Sequence, residues 1–367
     1  MLVSWALIAV STSLPMIYAA RVFGGLYVGM SFTVGPLYLG EIATNKVRGA
    51  VNAFLGLGMN TGFLVVYSVG QFVSFAAVAY VGIVLSGIYF LLSLLAPESP
   101  YYYLAKDDLE QAALALMKLR GKSREAVQTE LGKLDIEVKD SMNNTAKFTD
   151  IFRGNNRRAF LLSCGMMMAQ QLSGINAVLF YMTNIFEAAG TELDSAISTI
   201  IIGIVQTVVA VTTPLVVDRL GRRPLLLIST GGLAVAHAFL GMYFFLEETG
   251  NPVTAKIGFL PLLCLVIVAT VHVAGLGPVA FIYAAEVLPA EVRSAGMSLV
   301  ISFLWICTFF VTKFFGPIAV AVGMGPSFWI FGACCFLSFN YIWFFIPETK
   351  GKSLHEIQDM LKTTYVF

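Results

Sequence analysis

The sequence predicts an all-α polytopic membrane protein built from two pseudo-repeated helix bundles, and three observations carry that expectation. The first is composition: 57% of the 367 residues are hydrophobic, only 12% are charged, and the mean hydropathy is +0.80. Soluble domains carry about 25% charged residues. The second is a series of apolar runs close to the ~20 residues a helix needs to cross a bilayer. The third is a set of charged landmarks that recurs in the same order in each half.

The apolar runs fall at 16–40, 50–70, 74–96, 158–186, 194–217, 224–246, 258–285, 296–321 and 327–346. A tenth, at 1–12, is too short to cross at ~1.5 Å per residue, and without a basic n-region it reads as a truncated helix rather than a signal peptide. Lysine and arginine set the orientation. Lys46 and Arg48 lie in one short loop, Arg219, Arg222 and Arg223 in another, Arg293 in a third, and Lys350, Lys352 and Lys362 follow the last span. The loops between are poor in basic residues. Ser11–Pro15 and Gln71–Phe75 are uncharged, Glu187–Asp194 is acidic, and Glu247–Lys256 holds one lysine. With ten spans every basic loop falls on one side, which places both termini in the cytoplasm.

Residues 98–158 differ sharply, with both signs of charge mixed. Lys106–Arg120 and Ser123–Asp140 are amphipathic helix patterns separated by Gly121. The expected organisation is a truncated bundle over 1–97, a cytoplasmic helical linker over 98–157, a six-helix bundle over 158–346 and a cytoplasmic tail over 347–367. The sequon Asn143-Asn144-Thr145 would stay unmodified on that side. Ser353 and Glu356 form a capping box before an amphipathic turn, Leu354–Leu361.

The repeat is explicit. Tyr38-x-x-Glu41 is followed seven residues later by Arg48, and Tyr283-x-x-Glu286 by Arg293 at the same spacing. Each half then ends with a matching signal, Pro97-Glu98-Ser99 and Pro347-Glu348-Thr349. The loop Asp218-Arg219-Leu220-Gly221-Arg222-Arg223 presents cations at the same level. Glu41, Arg48, Glu98, Asp218, Arg222, Arg223, Glu286, Arg293 and Glu348 are therefore expected to form a cytoplasmic charge network that ties helix ends together. The alternative is a topology signal needing no partners. Exposed pairs contribute at most ~1 kcal/mol each, so such a latch needs partial burial.

Gln170, Gln171 and Asn176 sit inside the run 158–186, where hydrocarbon is expected. Polar side chains at bilayer depth need a partner or a wet cavity. With a 3.6-residue period the three do not share a face, but a local break at Gly174 would let them converge. Carboxamides suit a neutral polyol, because each offers donor and acceptor without the desolvation cost of an ion. Interhelical hydrogen bonding is the competing use. Phe180 and Tyr181 follow as an outer lid. Gly275-Leu276-Gly277-Pro278 is expected to break its helix as a hinge. His272, one turn earlier, reads as the sole ionisable side chain clearly mid-membrane and as a neutral one. Five cysteines without metal spacing read as packing residues. No phosphate loop, nucleophile elbow or metal-helix motif is present, so neither an enzyme, a cofactor, a metal nor a nucleic-acid partner is expected.

Taken together, Arg21-Val-Phe-Gly-Gly, Pro36-Leu-Tyr-Leu-Gly-Glu41 with Arg48-Gly49, Pro97-Glu-Ser-Pro100, Gln170-Gln-Leu-Ser-Gly-Ile-Asn176, Asp218-Arg-Leu-Gly-Arg-Arg223, Gly275-Leu-Gly-Pro278 and Pro347-Glu-Thr-Lys-Gly351 resemble the sugar porter family of the major facilitator superfamily. Within it the likeness is to insect facilitated trehalose transporters and glucose facilitators. The resemblance implies twelve spans, of which the first two and part of the third are missing here. It implies that Gln170, Gln171 and Asn176 bind sugar hydroxyls, that Ile175 packs on a sugar face, and that Gln206 is a fourth amide ligand. It places Phe281 and Leu304-Trp305 where the family usually has Trp and Asn-Trp, Gly56 where glucose facilitators have glutamine (with Asn60 the nearest polar residue), and Tyr101 where a basic residue is usual. The implied activity is facilitative transport of a sugar, trehalose or a hexose, by alternating access in the plasma membrane. A non-transporting sugar sensor and an inactive truncated product are the alternatives.

Overall fold

A computed structural model of the protein describes residues 1–44, 48–143, 148–190, 194–289, 291–352 and 354–363; within these, the side chains of 48–50, 52–53, 140–143, 218, 354–355 and 362–363 lie outside the described residues. Among the described residues there are helices and no strands. The chain divides into two compact units, one of residues 1–59 with 68–145 and one of 60–67 with 146–367.

In the first unit α1 (Leu2–Ala9) is the short run at the start, followed by α2 (Leu14–Ile42), α3 (Arg48–Gly70, of which residues 60–67 group with the second unit) and α4 (Phe75–Ser93). Small residues let α1 approach its neighbours. The Ser4 hydroxyl donates to the Ala20 carbonyl at 2.8 Å, and a Cβ at Gly82 would fall within 2.3–2.8 Å of the Trp5 ring. Close approach through small residues is how apolar helices associate when hydrocarbon surrounds them. The charged segment then forms α5 (Pro100–Leu104), α6 (Leu109–Arg120) and α7 (Arg124–Asn143). These bury their own apolar core of Leu104, Ala112, Leu116, Val127, Leu131 and Val138. The helix expected from Lys106 starts at Leu109 instead, because Asp107 adopts a positive φ of 58° and the Asp108 carboxylate caps the Gln111 amide at 3.0 Å. Gly121, with φ of 61°, ends α6 in the left-handed region as the sequence predicts. Arg120 then binds Glu130 at 2.8 Å and the Ile42 carbonyl at 2.8 Å.

The second unit contains α8 (Gly154–Leu172), α9 (Ile175–Ala189), α10 (Ser195–Leu220), α11 (Arg222–Glu248), α12 (Leu260–Val271), a π-helical turn (His272–Leu276), α13 (Gly277–Val287), α14 (Arg293–Val322), α15 (Met324–Phe345) and α16 (Leu354–Thr363). Each predicted apolar run lies on one or more of these helices or on α2–α4. Among the described residues, 7 helices are long and apolar enough to cross a membrane. The run 158–186 forms two helices, α8 and α9, interrupted at Ser173-Gly174 where the sequence suggests a break. Ser353 of the capping box and Asn144-Thr145 of the sequon lie outside the described residues, while the helix expected after Ser353 is present as α16.

The antiparallel pair α11 and α15 is the spine of this unit, and both of its ends are capped reciprocally. Beyond α15, the Glu348 carboxylate accepts from the Arg222 and Arg223 amides at the start of α11, at 3.0 and 2.9 Å. At the far end of α11, Glu248 accepts from the Met324 amide at the start of α15, at 2.7 Å. A helix N-terminus exposes unpaired N–H groups and partial positive charge, so each carboxylate satisfies both. Between the ends the backbones nearly touch. A Cβ at Gly241 would lie 2.5 Å from the Trp329 ring and 2.8 Å from the Gly325 carbonyl. Gly241→Leu should therefore separate the helices and lower stability by ~1–3 kcal/mol or more. Thermal unfolding of the solubilised protein checks this; an unchanged midpoint would contradict the packing described.

Candidate functional site

The centre of the second unit is the interruption between α8 and α9. The Ser173 amide still bonds back to Ala169 at 3.1 Å, but the Gly174 amide closes a tighter turn on the Gln171 carbonyl at 3.2 Å. Gly174 then takes φ of 77°, and the Val178 amide bonds to its carbonyl at 2.9 Å to start α9. Two constraints demand glycine here. The left-handed backbone disfavours other residues, and a Cβ would sit 2.7 Å from the Phe331 ring.

The break brings two of the three amides together. Asn176 Nδ2 donates to Gln171 Oε1 across it. Gln170 points elsewhere: its Nε2 donates to the Gly277 carbonyl at 3.0 Å, on α13. Gln170 and Gln171 are buried, Asn176 is half-buried, and Ile175 packs in the apolar core. Gln206 on α10 is buried with its Oε1 unpartnered among the described residues, as is Gln170 Oε1. Phe281 is half-buried against the core and Leu304 is buried within it. The two lid residues diverge. Phe180 is exposed, whereas Tyr181 turns inward, its ring 5.2 Å from that of Phe315 and its hydroxyl donating to the Thr312 carbonyl at 3.3 Å. The backbone kinks at Tyr181, with φ of −114° and ψ of 15°.

Gly275–Pro278 does not interrupt its helix as expected; it widens it into a π turn over His272–Leu276, and the apolar segment runs on through Leu260–Val287. Proline lacks an N–H and its ring crowds the carbonyl four residues back, so the helix relaxes to a wider turn. Three contacts support it. The Ser229 hydroxyl of α11 donates to the Val271 carbonyl at 2.6 Å and accepts from the Leu276 amide at 3.1 Å. Thr213 of α10 donates to the Val273 carbonyl at 3.1 Å. Gly275 makes room: a Cβ there would lie 2.7 Å from Ser229 Cβ.

His272 is not alone as an ionisable group within the spans. His237, fully buried in α11, donates from Nε2 to the Ser173 carbonyl at 2.8 Å, and Lys313 lies exposed on α14. Ser229 and His237 were both readable as polar residues inside the apolar run 224–246. Their targets on other helices were not.

At the end of the unit that carries the basic loops, the charged residues cluster, though not as simple ion pairs. Arg222 pairs with Glu286 at 2.8 Å, and the other Glu286 oxygen accepts from the Thr349 hydroxyl at 2.6 Å. Glu348 binds backbone amides rather than guanidinium groups. Arg223 reaches the Trp343 carbonyl at 2.6 Å and lies over its ring at 5.8 Å. Arg293 bonds to the Leu288 carbonyl at 3.2 Å rather than to an acid. The side chains of Asp218 and Arg48 lie outside the described residues. In the first unit Glu41 and Glu98 line a cleft of about 500 Å³ with Tyr38, Tyr101, Tyr102 and Glu137. Burial raises the Glu348 carboxyl, but amides of Lys350, Arg222, Arg223 and Thr349 outweigh this and hold it below its ordinary value. A depressed folded-state value means the stabilisation is complete at neutral pH and is lost as pH falls below the ordinary 4.5 towards the folded value. Glu348→Gln should lower the unfolding midpoint at pH 7 and flatten its decline below pH 4.5; a wild-type pH slope in the variant would contradict this assignment.

The profile of the family described as "Sugar (and other) transporter" matches residues 1–361. The facilitated trehalose transporter Tret1 of Polypedilum vanderplanki is 37% identical over 360 residues, covering 97% of this chain and 71% of the relative. That of Bombyx mori is also 37% identical, over 357 residues, 97% of this chain and 70% of the relative. Among solved structures, the inward-open xylose transporter XylE from E. coli superposes with a TM-score of 0.78 at 24% identity, over 98% of this chain and 79% of that one. At that identity the likeness speaks for the fold, which is that of the major facilitator superfamily. By its family match and its relatives alike, the chain belongs to the sugar (and other) transporter family.

Proposed function

We propose that this protein carries a neutral sugar, trehalose or a hexose, across a membrane by facilitated diffusion with alternating access, and that the sugar engages the break between α8 and α9. The observation that carries this reading is the Gln171–Asn176 amide pair, held at the break in an otherwise apolar helix. The pair offers donors and acceptors without a formal charge, as an uncharged polyol requires. Similarity to trehalose transporters supports the substrate class. The half-buried Asn176 provides access to the pair, Gln170 and Gln206 supply further amides, and Ile175 and Phe281 supply apolar surface for a sugar face. Gly174 and the π turn before Gly277-Pro278 are the places where these helices bend, and the Arg222–Glu286–Glu348 cluster fastens one end of the bundle. The positions of the basic loops favour a cytoplasmic location for that end and for both termini, and the reading takes the plasma membrane as the host.

Uptake of labelled trehalose and glucose into proteoliposomes tests the reading. Gln171→Ala or Asn176→Ala should raise the half-saturation concentration roughly two- to tenfold, the worth of one neutral hydrogen bond. Saturable wild-type uptake that neither substitution alters would remove the amide pair from the site.

A further inference from the structure

The geometry points to His237 as a positioning residue for the sugar site: its Nε2–H holds the Ser173 carbonyl and so fixes the break that brings Gln171 and Asn176 together. This inference rests on the reading of the amide pair as the sugar-binding element, and it concerns a residue that does not itself belong to that pair.

In an uninterrupted helix the Ser173 carbonyl would accept from the amide of residue 177. The turn at Gly174 takes the chain out of that pattern, and His237 of α11 reaches the carbonyl at 2.8 Å. An unsatisfied carbonyl in an apolar interior is costly, so this bond decides between a broken and a re-formed helix. The ring is also held in place. It stacks on Phe328 and lies against Phe331, each at 5.9 Å between centroids. Phe331 is the ring that any Cβ at Gly174 would strike. It stacks in turn on Phe315 at 5.7 Å, and Phe315 touches Tyr181, where α9 kinks. A single aromatic column therefore runs from the Gly174 break to the Tyr181 kink, and His237 is the member that donates a hydrogen bond to the backbone at the break. Donation through Nε2 leaves Nδ1 as the acceptor, and Nδ1 is buried without a partner among the described residues. Keeping an imidazole with one nitrogen unpaired is unfavourable, and a phenylalanine would pack in the same stack without that cost. The bond to Ser173 is the function that justifies a histidine there.

The test separates the donor from the ring. His237→Phe retains the stack and removes the donor, whereas His237→Gln restores a donor without the ring. Two readouts are needed: half-saturation and maximal rate of sugar uptake per folded carrier, and amide hydrogen exchange over residues 170–178 in nanodiscs. The expected result is that His237→Phe raises half-saturation roughly three- to tenfold and speeds exchange over that segment, with the maximal rate changed less than twofold. His237→Gln should return both towards wild type. Wild-type half-saturation and exchange in His237→Phe would overturn the proposal. So would a loss of maximal rate and thermal stability with half-saturation unchanged, the pattern of a packing residue. If the wild-type protein carries no sugar, the transport reading fails by itself and the exchange arm alone decides: faster exchange in His237→Phe upholds His237 as the holder of the break, and unchanged exchange overturns it.

Discussion

Backbone polar groups inside an apolar bundle have no water to turn to, and this constraint shapes the second unit around α11. Two of the places where the helices depart from regular geometry, the α8–α9 break and the π turn, each draw a hydrogen-bond partner from that one helix. His237 donates to the Ser173 carbonyl at the α8–α9 break, and Ser229, eight residues earlier, inserts its hydroxyl between Val271 and Leu276 in the π turn. Irregular backbone in a membrane persists where it is buried in protein and its freed groups find new partners.

A helix that serves two irregular segments must itself be fixed. The reciprocal caps do this: Glu348 on the N-terminus of α11, Glu248 on the N-terminus of α15, with Gly241 and Gly325 allowing near contact between them. The charged motifs of the family thus act in this unit as helix-end chemistry as much as ion pairing. Glu348 binds amides of the first turn of α11, and Arg222 extends from that same turn to Glu286 on α13. Gln170 adds a direct tie between the two irregular segments by bonding the Gly277 carbonyl from α8.

Much of this was legible in the sequence where a residue's meaning is local. Apolar runs of spanning length located the long helices, Gly174 among three amides marked the break, and Gly121 marked the end of α6. What stayed hidden depended on partners distant in the chain. The 3.6-residue period could say that Gln170 and Gln171 face different ways, but not that Gln170 finds a carbonyl 107 residues away. Gly275–Pro278 signalled irregularity without distinguishing a break from a π turn, because Ser229 and Thr213 decide that from other helices. Nothing local in Glu248 says that α15 begins beside it, and Arg293 lies at the right spacing from Glu286 yet bonds a backbone carbonyl instead.

We propose that α11 holds open a break whose amides meet the sugar. A density map of the protein with trehalose or glucose bound, in a lipid nanodisc, tests it most directly. The helix is expected to remain interrupted at Ser173-Gly174, with His237 on the Ser173 carbonyl and a sugar hydroxyl within hydrogen-bond distance of Gln171 or Asn176. A continuous helix through Gly174, or a sugar that touches neither amide, would contradict it.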